Sequence, residues 1–127
     1  MKTIITTEDA PAPIGPYSQA VLAGNVLFIS GQVAFMPGTS EIVLSDIQSE
    51  THQIMKNIGA ILKEAGMDFA NVVKTSIFLI DMNQFGAVNE VYGSYFKSDF
   101  PARETIQVSK LPREVNVEIS MIAMKQA

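Results

Sequence analysis

The sequence predicts one α+β domain of 127 residues, a sheet with two helices packed on one face in the order ββαβαββ. Three observations predict it. Paired apolar runs of strand length stand near both ends, two longer stretches with helical periodicity lie between them, and a short segment apolar on both faces separates those two. No repeat, biased tract or linker divides the chain, so a single domain over 1–127 is expected.

Taken in order, Pro11, Pro13, Gly15 and Pro16 make the first sixteen residues an extended, turn-rich segment. Ala20–Leu22 and Val26–Phe35 read as strands joined by Ala23-Gly24-Asn25, followed by a loop at Pro37-Gly38-Thr39-Ser40. Asp46 to Ala65 is the clearest helix, because Ile47, Ile54, Met55, Ile58, Ile61, Leu62 and Ala65 share one face. Ser45 or Asp46 caps its start and Gly66 its end. In Val72–Ile80, Val73, Ile77 and Leu79 point one way and Val72, Phe78 and Ile80 the other. Such a strand belongs in a sheet covered on both sides, by helices on one and by a neighbouring subunit on the other. Asp81–Lys97 reads as a second helix, with Asp81 as N-cap, Gln84 three residues on, and Phe85, Val88, Tyr92 and Phe96 as its core stripe. Glu104–Ser109 and Val115–Lys125 are the last strands, joined through Lys110–Glu114 as a hairpin.

Composition removes several function classes. Nine Lys+Arg against thirteen Asp+Glu give a net charge of −4, which argues against a nucleic-acid partner or an anionic membrane surface. With no cysteine there is no disulfide, thiol nucleophile or Cys-ligated zinc, and a single histidine, His52, leaves no imidazole pair for a metal. Met1–Asp9 lacks the pattern of a signal peptide and no run of 18 apolar residues occurs, so a cytoplasmic protein is expected. Hydrophobic residues at 47 % with only 17 % charged are many for so small a domain, whose surface-to-volume ratio is high; some of them are expected in subunit contacts.

The candidate chemistry rests on few residues. His52 falls about 120° from the centre of its helix's apolar face, on the solvated flank with Lys56 and Lys63, and is set aside as a surface residue. Ser94-Tyr95-Phe96-Lys97 has the S-x-x-K spacing of some serine acylases but none of their partner motifs. Asn89 lies between Phe85 and Tyr92 on the buried stripe, where its amide either ties down a loop or holds an active-site loop in place. Glu118 sits in the alternation Asn116-x-Glu118-x-Ser120, and is either solvated at an edge or aimed into a polar cavity. Arg103 follows Pro101, which limits the wandering of the segment. Its guanidinium either grips a carboxylate through two parallel hydrogen bonds or makes a surface ion pair of little worth.

Gly15-Pro16-Tyr17-Ser18-Gln19-Ala20, Ser30-Gly31-Gln32, Asn57, Val88-Asn89-x-x-Tyr92, Pro101-Ala102-Arg103, Leu111-Pro112 and Val117-Glu118-Ile119 appear in that order. Together they resemble the Rid (YjgF, reactive intermediate deaminase) family from about Ala10 to Ala123. The resemblance implies a chorismate-mutase-like α+β fold assembled as a homotrimer, with helices outside and clefts between subunits. It also implies hydrolysis of 2-imino acids (2-iminobutanoate, 2-iminopropanoate) and their enamine tautomers, released by PLP-dependent dehydratases, to 2-keto acids and ammonia, with no cofactor.

By the same resemblance Arg103 clamps the substrate carboxylate and Glu118 activates water and passes protons. Tyr17, Ser30, Gly31 and Asn89 shape the pocket, and the main-chain carbonyl of Thr105 holds the water. Two departures bear on substrate preference: Glu104-Thr105, where many members have Ser-Cys or Ser-Thr, and a bulky Ala34-Phe35-Met36-Pro37. A second reading is a non-catalytic regulator that binds 2-keto acids in the same clefts. Endoribonuclease and holdase readings, attached to some family names, are opposed by the acidic charge and by the better use of the apolar excess in subunit contacts.

Overall fold

A computed structural model describes residues 1–126. Eight main elements follow one another: β1 (Lys2–Ile5), β2 (Ala20–Ala23), β3 (Val26–Gln32), α1 (Ile47–Glu64), β4 (Val72–Leu79), α2 (Phe85–Gly93), β5 (Ala102–Gln107) and β6 (Val117–Met124). The six strands form one sheet in the order β1-β2-β3-β6-β4-β5. All neighbours are antiparallel except β4 and β5, which α2 connects as a crossover.

Local chemistry sets the ends of α1. The Asp46 carboxylate accepts from the Ser49 amide at 2.7 Å, satisfying a donor the helix cannot. At the other end Met67 N–H donates to Leu62 C=O and Gly66 N–H to Lys63 C=O, both at 2.9 Å, with Gly66 at φ +75°. That Schellman closure needs a residue without Cβ strain. Between the caps Ile54, Met55, Ile58, Ile61 and Leu62 are fully buried against Leu27, Ile77, Leu79, Ile119 and Met121 of the sheet. Val88 and Tyr92 of α2 join the same core. The two helices therefore cover one face, as expected.

Four expectations are corrected. First, the sheet gains β1, an edge strand whose pattern is mostly exposed and so carries no alternation to read; the order is βββαβαββ. Second, β5 and β6 are not a hairpin: β5 pairs only with β4, and β6 is inserted between β3 and β4, so the 108–116 connection passes across β4. Periodicity identifies strands but not their partners. Third, a register shift between Val72 and Lys74 turns Val73 outward and Val72 inward, reversing the faces read from strict alternation. Fourth, the Asp81–Lys97 stretch is a 3₁₀ turn at Met82–Gln84 followed by a nine-residue α2, on which Phe85 and Asn89 are exposed and Val88, Val91 and Tyr92 buried.

The opposite face of the sheet is bare in the single chain. Phe28, Ile106 and Met124 stand on it 48 %, 46 % and 41 % exposed, beside partly buried Phe78 and Ile122. No helix among the described residues is long and apolar enough to cross a membrane.

Candidate functional site

The sheet register divides the predicted site residues between its two faces. Arg103 is paired with Thr75, and Thr105 with Ile77, both of the helix-covered side. Glu118 is paired with Phe78, on the bare side. Residues directly opposite in a ladder share a face, so within one chain Arg103 and Glu118 point away from each other.

On the helix side, Arg103 is held as a rigid cation. Its Nη1 donates to Asn89 Oδ1 at 2.6 Å, and its Cζ lies 5.1 Å and 5.5 Å from the ring centroids of Tyr92 and Phe85. Guanidinium stacking on two rings fixes the plane of the fork and leaves its remaining N–H donors free. Tyr92 is locked in turn: its hydroxyl donates to buried Thr75 Oγ1 at 3.0 Å, and burial raises its pKa, so the ring stays neutral. Arg103, Asn89 and Tyr92, with Gly93, Phe100 and Pro101, line an open cleft of about 480 Å³. Asn89 is thus not a buried loop tie; it orients the cation. Thr105 Oγ1 is buried with no hydrogen-bond partner, and β5 is the edge strand, so this rim has unused polar groups.

On the bare side, the ladder between β3 and β6 breaks between Ile29 and Gln32, and Ser30 and Gly31 occupy the bulge. A Cβ at Gly31 would lie 2.9 Å from Glu118 Cδ and nearer still to its Oε2, so the carboxylate rests against bare backbone in a position that any larger residue would push it out of. Glu118 is half-buried, and burial alone raises its pKa. Tyr17 and Gly31 line a small cleft with Pro11, Ile14 and Phe35. Ser30 serves as a strap: its hydroxyl donates to Ser18 C=O at 2.6 Å, holding the Tyr17 segment against β3.

Glu104 points away from the arginine next to it in sequence. It does not crowd the arginine; it faces the bare side, where Ser76 donates to it and Lys74 Nζ lies 3.0 Å away, and those contacts lower its pKa. Phe35, in contrast, does reach the Tyr17 cleft.

Two buried polar residues were given no role by the sequence reading. Gln19, buried, accepts from Thr7 N–H at 2.7 Å and donates to the carbonyls of Thr7, Ala10 and Pro11, pinning the segment before Tyr17. Glu50, fully buried in the first turn of α1, accepts from Asn116 N–H at 2.9 Å, Asn116 Nδ2 at 2.8 Å and Val117 N–H at 3.2 Å. It fixes the start of β6 one residue before Glu118. Its place four residues before Ile54 on the apolar stripe was the available signal. His52 is exposed, 3.0 Å from the Tyr95 hydroxyl. No group of three or more metal-ligating side chains occurs among the described residues.

Residues 7–125 match the family model described as Endoribonuclease L-PSP. The human 2-iminobutanoate/2-iminopropanoate deaminase is 47 % identical over 98 % of this chain and 91 % of its own. A RutC family protein of Pyrococcus horikoshii is 52 % identical over 99 % of this chain and 100 % of its own. Among solved structures, E. coli TdcF with bound serine superposes with a TM-score of 0.93 at 38 % identity, over 98 % of this chain and 99 % of that one.

Proposed function

Since the chain belongs to the Endoribonuclease L-PSP family, the Rid family its motifs resemble, we propose that it is a deaminase hydrolysing 2-imino acids and their enamine tautomers to 2-keto acids and ammonia. The single observation that carries this reading is the Arg103 fork, held by Asn89 and two aromatic rings with free donors in an open cleft. Such a fork suits a carboxylate next to a C=N bond. The names of the human and other mammalian relatives agree with it.

The active unit is a homotrimer whose sites are completed across subunit contacts. Two features support this: Arg103 and Glu118 occupy opposite faces of one sheet, and the bare face exposes the large apolar side chains Phe28, Ile106 and Met124. Arg103 of one chain grips the substrate carboxylate, and Glu118, Gly31 and Tyr17 of its neighbour close over the imine carbon. Water adds to that carbon as Glu118 takes its proton. The carboxylic acid so formed returns the proton to nitrogen, giving the carbinolamine; Glu118 then takes the hydroxyl proton and delivers it to the amino group as the C–N bond breaks, so that ammonia leaves and the carbon becomes a carbonyl. A raised pKa suits Glu118 to both directions of transfer. An enamine first gains a proton at its terminal carbon and then follows the same course. Thr105 follows Arg103 two residues along the same face of β5, and its main-chain carbonyl holds the attacking water.

The assay is loss of 2-aminoacrylate made in situ by a PLP-dependent dehydratase. Catalytic amounts of the protein accelerate it; tight 2-keto-acid binding with no acceleration would instead establish the regulator. The RNA activity in the family description gains nothing from this site, whose one histidine is turned away on α1.

A further inference from the structure

Two clefts meet at Phe35, and only the inner one contains Tyr17 and Gly31. The outer one, about 330 Å³, shares Pro11, Ala12, Ile14 and Phe35 with it and ends at Arg113. Its walls near the shared boundary are apolar, and its far end is cationic. The Arg113 Cζ lies 5.4 Å from the Phe35 ring centroid, a stacking contact that leaves the in-plane N–H fork free.

Among the described residues this guanidinium has no acidic partner. The one salt bridge among the described residues joins Lys74 and Glu104, so neither Glu41 nor the adjacent Glu114 pairs with it. The backbone beneath it is uncommon: Arg113 and Glu114 have φ of 56° and 55°, the left-handed region that side-chain-bearing residues seldom adopt. It is held there by Glu114 N–H to Leu111 C=O at 3.2 Å and by the Glu50 carboxylate on Asn116 N–H at 2.9 Å. An unpaired cation at the end of an apolar passage, in a chain of net charge −4, fits an anion carried on a short carbon chain.

We propose that the passage from Tyr17 past Phe35 to Arg113 is a side-chain subsite that takes 2-imino acids bearing a second, terminal carboxylate, with Arg113 as its anion-binding end. The proposal rests on the deaminase reading and extends it to substrate class. The α-carboxylate goes to Arg103, the methylenes cross the Phe35 ring, and the distal carboxylate meets the Arg113 fork. Such imines arise by two-electron oxidation of acidic amino acids with a flavin or nicotinamide acceptor, or by loss of water from their β-hydroxylated derivatives, so the supplying reaction belongs to one of those classes.

The test measures kcat/KM for imines made in situ by amino-acid oxidases from aspartate, glutamate and 2-aminoadipate, and from uncharged norleucine. For wild type, one acidic chain length stands out above norleucine. In Arg113→Gln the ratio of that acidic imine to norleucine imine falls about tenfold, and Arg113→Lys recovers part of it. An unchanged ratio in Arg113→Gln, or no preference for any acidic length in wild type, overturns the subsite while leaving the deaminase intact. Failure to hydrolyse even the norleucine imine overturns both.

Discussion

The two halves of the proposed site are built in contrasting ways. The Arg103 half is finished within one chain: Asn89 fixes the guanidinium, Tyr92 and Phe85 flank it, and Thr75 locks Tyr92. The Glu118 half is left open. Its carboxylate leans on the Gly31 backbone, is partly desolvated, and faces the side of the sheet that none of the described elements covers. A preorganised cation can select an anionic ligand before anything moves, whereas a desolvated acid gains its use only when a partner and a water arrive. Binding is therefore assigned to the first half and proton transfer to the second.

Substitutions sharpen that division. Arg103→Ala is expected to lower kcat/KM for imine hydrolysis by more than about a hundredfold without altering the oligomer, checked by turnover and light scattering together. Gly31→Ala pushes a methyl into Glu118, and kcat should fall by roughly tenfold or more with KM nearly unchanged. Asn89→Ala frees the guanidinium to wander; KM rises about tenfold while kcat holds, the opposite split. If both variants shifted the same constant, the halves would not have separate tasks.

The smallest effect is on stability. Burial raises the pKa of Glu118, so between its ordinary and its raised value the folded chain keeps a proton that the unfolded chain has lost. Stability then falls as pH climbs through that window and stays reduced above it. Glu118→Gln removes the penalty, so the inactive variant should melt higher than wild type at pH 7 and the gap should close on acidification. A lower Tm at pH 7 would mean that the carboxylate makes compensating contacts in the assembly.

Much of this was legible before any coordinates. The α1 caps, the core stripe through Ile54, Ile58 and Ile61, and the need for cover on a second sheet face all follow from periodicity and end chemistry. Strand partners did not: β5 and β6 look like a hairpin in sequence because nothing local distinguishes a crossover over β4. The Val72–Lys74 shift was invisible for a related reason, since one inserted residue reverses every face beyond it. At the candidate site, Arg103 and Glu118 could be singled out from sequence but not placed on opposite faces, and Asn89 was misplaced. It shares an angular sector with Phe85, which proves exposed because α2 starts later than its pattern suggests. Glu50 was missed because a carboxylate on an apolar stripe reads as an interruption until its three donors from Asn116 and Val117 are seen.

The central claim is that a working site takes its arginine from one chain and its glutamate from another, and subunit complementation tests it most directly. Arg103→Ala and Glu118→Gln homo-oligomers are each inactive. Coexpressed as differently tagged chains and purified as mixed trimers, they should regain activity in about one site in three, since either mixed ring has a single junction that joins an intact arginine to an intact glutamate. Mixed oligomers with no activity above either parent would place both residues' work within a single chain and contradict the account.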